Sequence, residues 1–209
     1  EAVQALSFPC VIKAPDSSGS RGVVKVNASV EVSGAFAEAL RYTRGEKVLV
    51  EEFIDGLELG AQSFSLNGRC VAVWPHDDVL SAPPYMIPIA HAFPASLDSR
   101  TAKKVEKAVA PCVDALGVTA GPANIDMIID AQGQVRIIEV GARIGATCLP
   151  ELVQWHTGID LVECAIMTAI GMRPDLTPRQ SQACAAYILE SPRDGCLAST
   201  TVPTKVAQH

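Results

Sequence analysis

The chain has 209 residues, 48% of them hydrophobic and 5% aromatic, enough for one large domain or two small lobes held without covalent staples. A net charge of −6 argues against a nucleic-acid surface. There is no apolar run of roughly eighteen residues and no signal peptide, so no membrane role is expected.

The seven cysteines are Cys10, Cys70, Cys112, Cys148, Cys164, Cys184 and Cys196. They are odd in number and scattered, with no Cys-x-x-Cys, which indicates neither a zinc knuckle nor a disulfide framework. Most sit among apolar residues and read as core fillers in a reducing, cytoplasmic setting. The chain opens at Glu1 and enters an apolar strand within a few residues, so it reads as a fragment of something longer.

Phe8–Ala14 reads as a short strand with Lys13 near its end, and Val23–Val26 as a second. Between them lies Asp16-Ser17-Ser18-Gly19-Ser20-Arg21-Gly22. Small residues around two glycines let backbone N–H groups approach a phosphate closely, and a neighbouring lysine adds a point charge for the same anion. It is neither a Walker loop nor a dinucleotide fingerprint, because a strand follows it rather than a helix. A polar hairpin loop beside an ordinary surface lysine is the competing reading.

Ser33–Tyr42 reads as a helix capped by Ser33, with Phe36 and Leu40 on one face and Gly45 ending it. Lys47–Ile54 is then a strand, broken by Asp55-Gly56. The edge Glu51-Glu52-Phe53-Ile54 suits a flat heteroaromatic ring, read by backbone polar groups and sandwiched by apolar side chains. Glu58 could accept hydrogen bonds from ribose hydroxyls. The alternative is that Glu51, Glu52 and Glu58 are solvated strand-end charges.

Leu57–Leu66 and Cys70–Pro75 form a hairpin across Asn67-Gly68. Residues 76–95 read as an irregular loop with a strand near Tyr85–His91. His76 and His91 are either phosphate or substrate contacts, or structural. Leu97–Leu116 is the clearest helix, capped by Asp98 or Ser99 and striped by Val105, Val109, Val113 and Leu116, with Gly117 closing it. Pro150–Thr157 and Asp160–Gly171 are helical, Ala183–Glu190 is a strand, and Ser191–Gly195 turns into a last extended piece.

Before those helices, Ile125–Ile129 and Val135–Val140 flank the turn signal Asp130-Ala131-Gln132-Gly133. An even loop would set Asp126 opposite Glu139 on one sheet face, with β-carbons about 5 Å apart. Two like charges there call for compensation, which a divalent cation such as Mg²⁺ supplies. Arg143 adds a fixed positive charge near the same strand end. An odd loop would put the carboxylates on opposite faces, and a solvated acidic pair is the plain alternative. The architecture expected is α+β: a small lobe over 1–54 and a larger antiparallel-sheet lobe with helices over 57–209, with a cleft between them.

Val11-Ile12-Lys13, the Asp16–Gly22 loop, Val50–Gly56 with Glu58, Asn124-Ile125-Asp126, and Ile138-Glu139-Val140 with Arg143 together resemble the ATP-grasp superfamily, in order and spacing. The serine-glycine loop and Gly158-Ile159-Asp160 resemble its amino-acid-ligase and carbamoyl-phosphate-synthetase-like carboxylate–amine ligase branch. The resemblance implies ATP and Mg²⁺, with Mn²⁺ as a substitute, bound between the lobes. It implies that Lys13 and the loop of Ser18, Gly19, Ser20 and Gly22 meet phosphate, and that Glu51, Glu52, Phe53 and Ile54 meet adenine. Glu58 would meet ribose, Asp126 and Glu139 would hold the metal, and Arg143 would stabilise the transferred phosphoryl group.

The activity so implied is ATP-dependent ligation of a small carboxylate to an amine or thiol through an acyl phosphate. Further domains of the parent chain and a homodimer are the expected assemblies. Alternatives are a carboxylase or carbamoyl-phosphate-type enzyme using bicarbonate, and a non-catalytic nucleotide-binding module. The chain departs from the pattern at Gly141, where many members carry a metal-binding Asn, and nothing in it corresponds to the domain that usually precedes this one.

Overall fold

The structure, a computed structural model, describes residues 7–81, 87–189, 191, 194–196 and 198–199. Two antiparallel sheets carry the chain. The first has the order β2-β1-β3, from β1 (Cys10–Lys13), β2 (Val23–Val26) and β3 (Leu49–Glu52). The second has the order β8-β7-β4-β5-β6-β9, from β4 (Gly56–Leu66), β5 (Arg69–Leu80), β6 (Pro88–Phe93), β7 (Gly121–Asp130), β8 (Val135–Gly141) and β9 (Cys184–Tyr187). Every pairing is antiparallel.

Each sheet has its own apolar filling. Helix α1 (Val32–Tyr42) lays Ala35 and Ala39 against Cys10, Ile12 and Val26. The buried face is therefore the alanine pair, not the expected Phe36 and Leu40, and Phe36 stays 43% exposed. Two small residues one turn apart let the helix axis approach the sheet closely. Ser33 lies inside the helix, because a 3-10 turn over Ser29–Glu31 leads directly into it.

Helix α2 (Ser99–Ala115) covers one face of the six-stranded sheet. Asp98 caps it by accepting a hydrogen bond from the Thr101 N–H at 2.7 Å. Val105, Val109 and Val113 are fully buried against Leu59, Ala61, Ala123, Ile125 and Met127. Leu116, expected to extend that stripe, is 61% exposed, because it follows the helix and precedes the left-handed Gly117. The opposite face holds Phe64, Trp74 and Phe93 under helices α3 (Leu149–Thr157) and α4 (Leu161–Ala169).

Strand β5 runs five residues beyond the expected Pro75 end, to Leu80. Pro75, Asp77 and Asp78 read as loop residues in isolation, but β4 and β6 flank this stretch and pair with it. The expected strand near Tyr85–His91 is β6 from Pro88 onward; its first residues, and part of Glu190–Gly195, lie outside the described residues.

The α2 stripe sets a stability test. Val109→Ala should cost about 2 kcal/mol of unfolding free energy, because it empties a fully buried site. Leu116→Ala should stay within about 0.5 kcal/mol. Urea unfolding of both variants, with unchanged m-values, checks the difference.

Candidate active site

The hairpin β7–β8 places its two carboxylates by an indirect route. Asp130 builds the turn: its Oδ1 accepts from the N–H groups of Gln132 at 3.0 Å and Gln134 at 2.8 Å, and its Oδ2 from Arg136 at 3.0 Å. Ile129 pairs with Val135, so an odd number of residues separates them and the register near the turn would put Asp126 and Glu139 on opposite faces. A bulge between Asp126 and Met127 corrects this. Met127 pairs with Ile137 but Asp126 pairs with Glu139, leaving Ile138 as the extra residue. Ile138 and Glu139 are consecutively exposed, which breaks the strand's alternation at that point.

Residues directly across a pair share a face. Asp126 lies opposite Gly60, which lies opposite His76. Asp78, two residues beyond His76, lies opposite His91 of β6. Glu58, two residues before Gly60, joins the same face. Gly60 is the gap that makes this possible: a Cβ there would sit 2.2 Å from His76 Cε1 and 2.6 Å from its Nε2. The result is a row of acceptors, Glu139, Asp126, Glu58 and Asp78, on the polar end of a face whose other end is apolar core.

The electrostatics follow. Burial pushes the Asp126 carboxyl above the usual carboxylate range, and the charges of Glu139 and Asp78 push it further. Glu58 keeps an accessible side chain, yet its surroundings and the charges of Asp78 and Asp126 raise it too. Asp78 goes the other way. Burial alone would raise it, but hydrogen bonds and charge from His76 and His91 outweigh that and hold it at about 2.

Two buried networks fix these groups. Gln62, fully buried, donates to Asn124 Oδ1 at 2.6 Å, and Asn124 donates to Asp126 Oδ1 at 3.1 Å. Gln62 Oε1 also accepts from the Gly145 N–H at 3.0 Å, which ties the loop after Arg143 to the same network. In the second, Asp78 Oδ1 meets His76 Nδ1 at 2.9 Å and His91 Nδ1 at 2.5 Å, while His91 Nε2 meets Thr147 Oγ1 at 2.6 Å.

The remaining candidates lie on or beside the three-stranded sheet. Lys13 and Glu51 form an ion pair at 2.7 Å. Glu52 is exposed at the end of β3, Ile54 follows it half-buried, and the Phe53 ring lies 3.6 Å beneath Lys25 Nζ. In the serine-glycine loop, Gly19, Ser20 and Gly22 all have left-handed backbone, and Arg21 folds back on the Ser18 carbonyl at 3.1 Å. A side chain at Gly22 would press on Tyr42 at 3.0 Å. Arg143 is exposed and donates to the Ile144 carbonyl at 3.0 Å.

Gln62, Asn124, Asp78 and Thr147 escape a site reading from sequence. The usable signal for Asp78 is its spacing from His76: two residues apart, they share a face once the stretch is a strand.

The geometry can be set beside known proteins. The sequence model of the ATP-grasp domain matches residues 6–151. The protein y4rH of Sinorhizobium fredii is 32% identical over 92% of this chain and 40% of its own length. Carnosine synthase 1 of Homo sapiens is 26% identical over 85% of this chain and 23% of its own. The crystal structure of L-amino acid ligase from Bacillus licheniformis superposes with a TM-score of 0.67 and 29% identity, over 79% of this chain and 39% of that one. The chain thus spans well under half the length of these relatives. No described helix is long and apolar enough to cross a membrane.

Asp78 supplies a pH test. Its folded pKa of about 2 lies below the unfolded value near 3.9, so its contribution is present above about pH 4 and lost as pH falls through about 2. Asp78→Asn should therefore lower stability by on the order of 2 kcal/mol at neutral pH. The gap between the two proteins should close on acidification, read by urea unfolding at stepped pH.

Proposed function

Because the chain belongs to the ATP-grasp family, we propose that it is the ATP-binding, catalytic part of an ATP-dependent ligase joining a small carboxylate to an amine or thiol through an acyl phosphate. The observation that carries the reading is the bulge that sets Asp126 opposite Glu139. A strand distortion that juxtaposes two carboxylates, one of them raised by burial and then by the charge of the other, fits a bound divalent cation. Carnosine synthase and L-amino acid ligase are relatives whose names carry the same kind of chemistry.

In this reading Asp126 and Glu139 hold Mg²⁺, with Mn²⁺ able to replace it, and the ion screens phosphate charge when bound. Lys13 and the N–H groups of the Ser18–Gly22 loop bind the phosphates, the Glu51–Ile54 edge takes adenine, and Glu58 takes ribose. The nucleotide lies between a small lobe, 1–54, and a large one, 57–209. Arg143 faces the transferred phosphoryl group. The protein's task is to align the carboxylate with the γ-phosphate and to neutralise charge. Gly141 offers no ligand, and its place is close to Arg143: a Cβ there would lie 3.6 Å from the Arg143 Nε.

The test is isothermal titration of the full-length protein with Mg-ATP beside Glu139→Gln and Asn124→Ala. Glu139→Gln should abolish acceptor-dependent ADP release. Asn124→Ala, which frees the Asp126 carboxylate from its donor, should weaken Mg²⁺ binding about 10- to 100-fold. Unchanged binding and turnover in Glu139→Gln would refute the site.

A further inference from the structure

Thr147 is the most strained non-glycine position in the region of the site. It is β-branched, yet has φ +56°, and Cys148 follows at φ +66°. Left-handed backbone at a β-branched residue is a true outlier that persists only where its surroundings impose it. Here they do. Gly145, two residues earlier, is held by Gln62, and the Thr147 hydroxyl is held by His91.

The hydrogen-bond directions can be worked out from chemistry. Asp78 is ionised and can only accept, so both histidines present Nδ1–H to it. The second nitrogen of a neutral His91 is then a lone pair, and Thr147 Oγ1–H donates to it. Thr147 is exposed, whereas His91 is 3% exposed and Asp78's side chain 6%. A hydroxyl at the surface is thus backed by a buried imidazole and a buried carboxylate, with His76 as a second donor to that carboxylate. The charged groups around His91 are Asp78 on β5 and, beyond it, Glu58 and Asp126.

We propose that Thr147, His91 and Asp78 form a proton relay that takes a proton from the amine attacking the activated carboxylate, so that the acceptor is an amine that arrives protonated. The proposal rests on the ligase reading above. The amine N–H bond breaks and its proton passes to Thr147 Oγ1, while the threonine proton passes to His91 Nε2. The freed nitrogen pair forms the C–N bond, the C–O bond to phosphate breaks, and phosphate leaves with that electron pair and takes up the second N–H proton, so that a neutral amide results. Thr147 is the catalytic residue; His91 and Asp78 act through it, and His76 positions Asp78.

The test compares two nucleophiles in the full-length protein, with ATP, Mg²⁺ and the twenty L-amino acids as carboxylates. Hydroxylamine is largely neutral near neutral pH and needs no base; methylamine and the amino acids themselves are protonated. Thr147→Val should lower amide formation about 100-fold or more and lower hydroxamate formation far less. Raising the pH should restore amide formation in proportion to free amine, and Thr147→Ser should restore it at neutral pH. Equal loss of both products, or loss of neither, overturns the relay. So does a wild type that makes hydroxamate but no amide. A wild type that makes neither product overturns the ligase reading itself.

Discussion

The face that matters in this protein is crowded with groups of one sign. Asp126 and Glu139 oppose each other directly, and Glu58 and Asp78 lie within electrostatic reach of Asp126. Opposed like charges on a sheet are destabilising, so an arrangement that uses a bulge to create the opposition works against stability alone. Cross-strand energetics would have kept the regular register and sent the two carboxylates to opposite faces. In the proposed function, a cation and its phosphate ligands are what the irregular register would serve.

What keeps the face from collapsing is that each of its buried carboxylates has a donor. Asp78 draws two imidazole donors, Asn124 reaches Asp126, and Gln62 supports Asn124. Gly60 is part of the same economy of space: the missing side chain is where His76 fits. Among the described residues, the buried side-chain atoms left without a partner are His76 Nε2 and Ser65 Oγ. The first of these lies at the acidic end of the face, against Gly60. The other face has no such demands, and three valines on one helix stripe pack it.

Legibility from the sequence divides along physical lines. The α2 stripe and the Asp98 cap were readable because helix periodicity and capping are local. The hairpin around Asp130–Gly133 was readable from its turn residues, but its parity was not. Asp130 organises the turn with its side chain, and the bulge that reverses the consequence sits several residues away. The stretch from His76 to Leu80 failed because its strand character comes from the neighbours on both sides rather than from its own residues. Thr147 was invisible for a related reason: left-handed backbone at a β-branched residue opposes local preference, so tertiary contacts must enforce it.

The His76–Leu80 strand and Thr147 are joined through one segment. The loop from Arg143 to Cys148 is tied at Gly145 to the network that holds Asp126, and at Thr147 to the network that holds Asp78. A single short segment is thus fastened to both ends of the acidic face, and neither fastening is a packing contact that a larger apolar residue could replace. A side chain at Gly145 would sit 2.7 Å from the Gln62 amide, so the first fastening also requires glycine. Strain at Thr147 and Cys148 is then the consequence of spanning two anchors with a loop that must immediately start α3 at Leu149. In this chain the bulge beside Asp126 and the left-handed pair Thr147–Cys148 both oppose local preference, and both bring polar side chains to one surface.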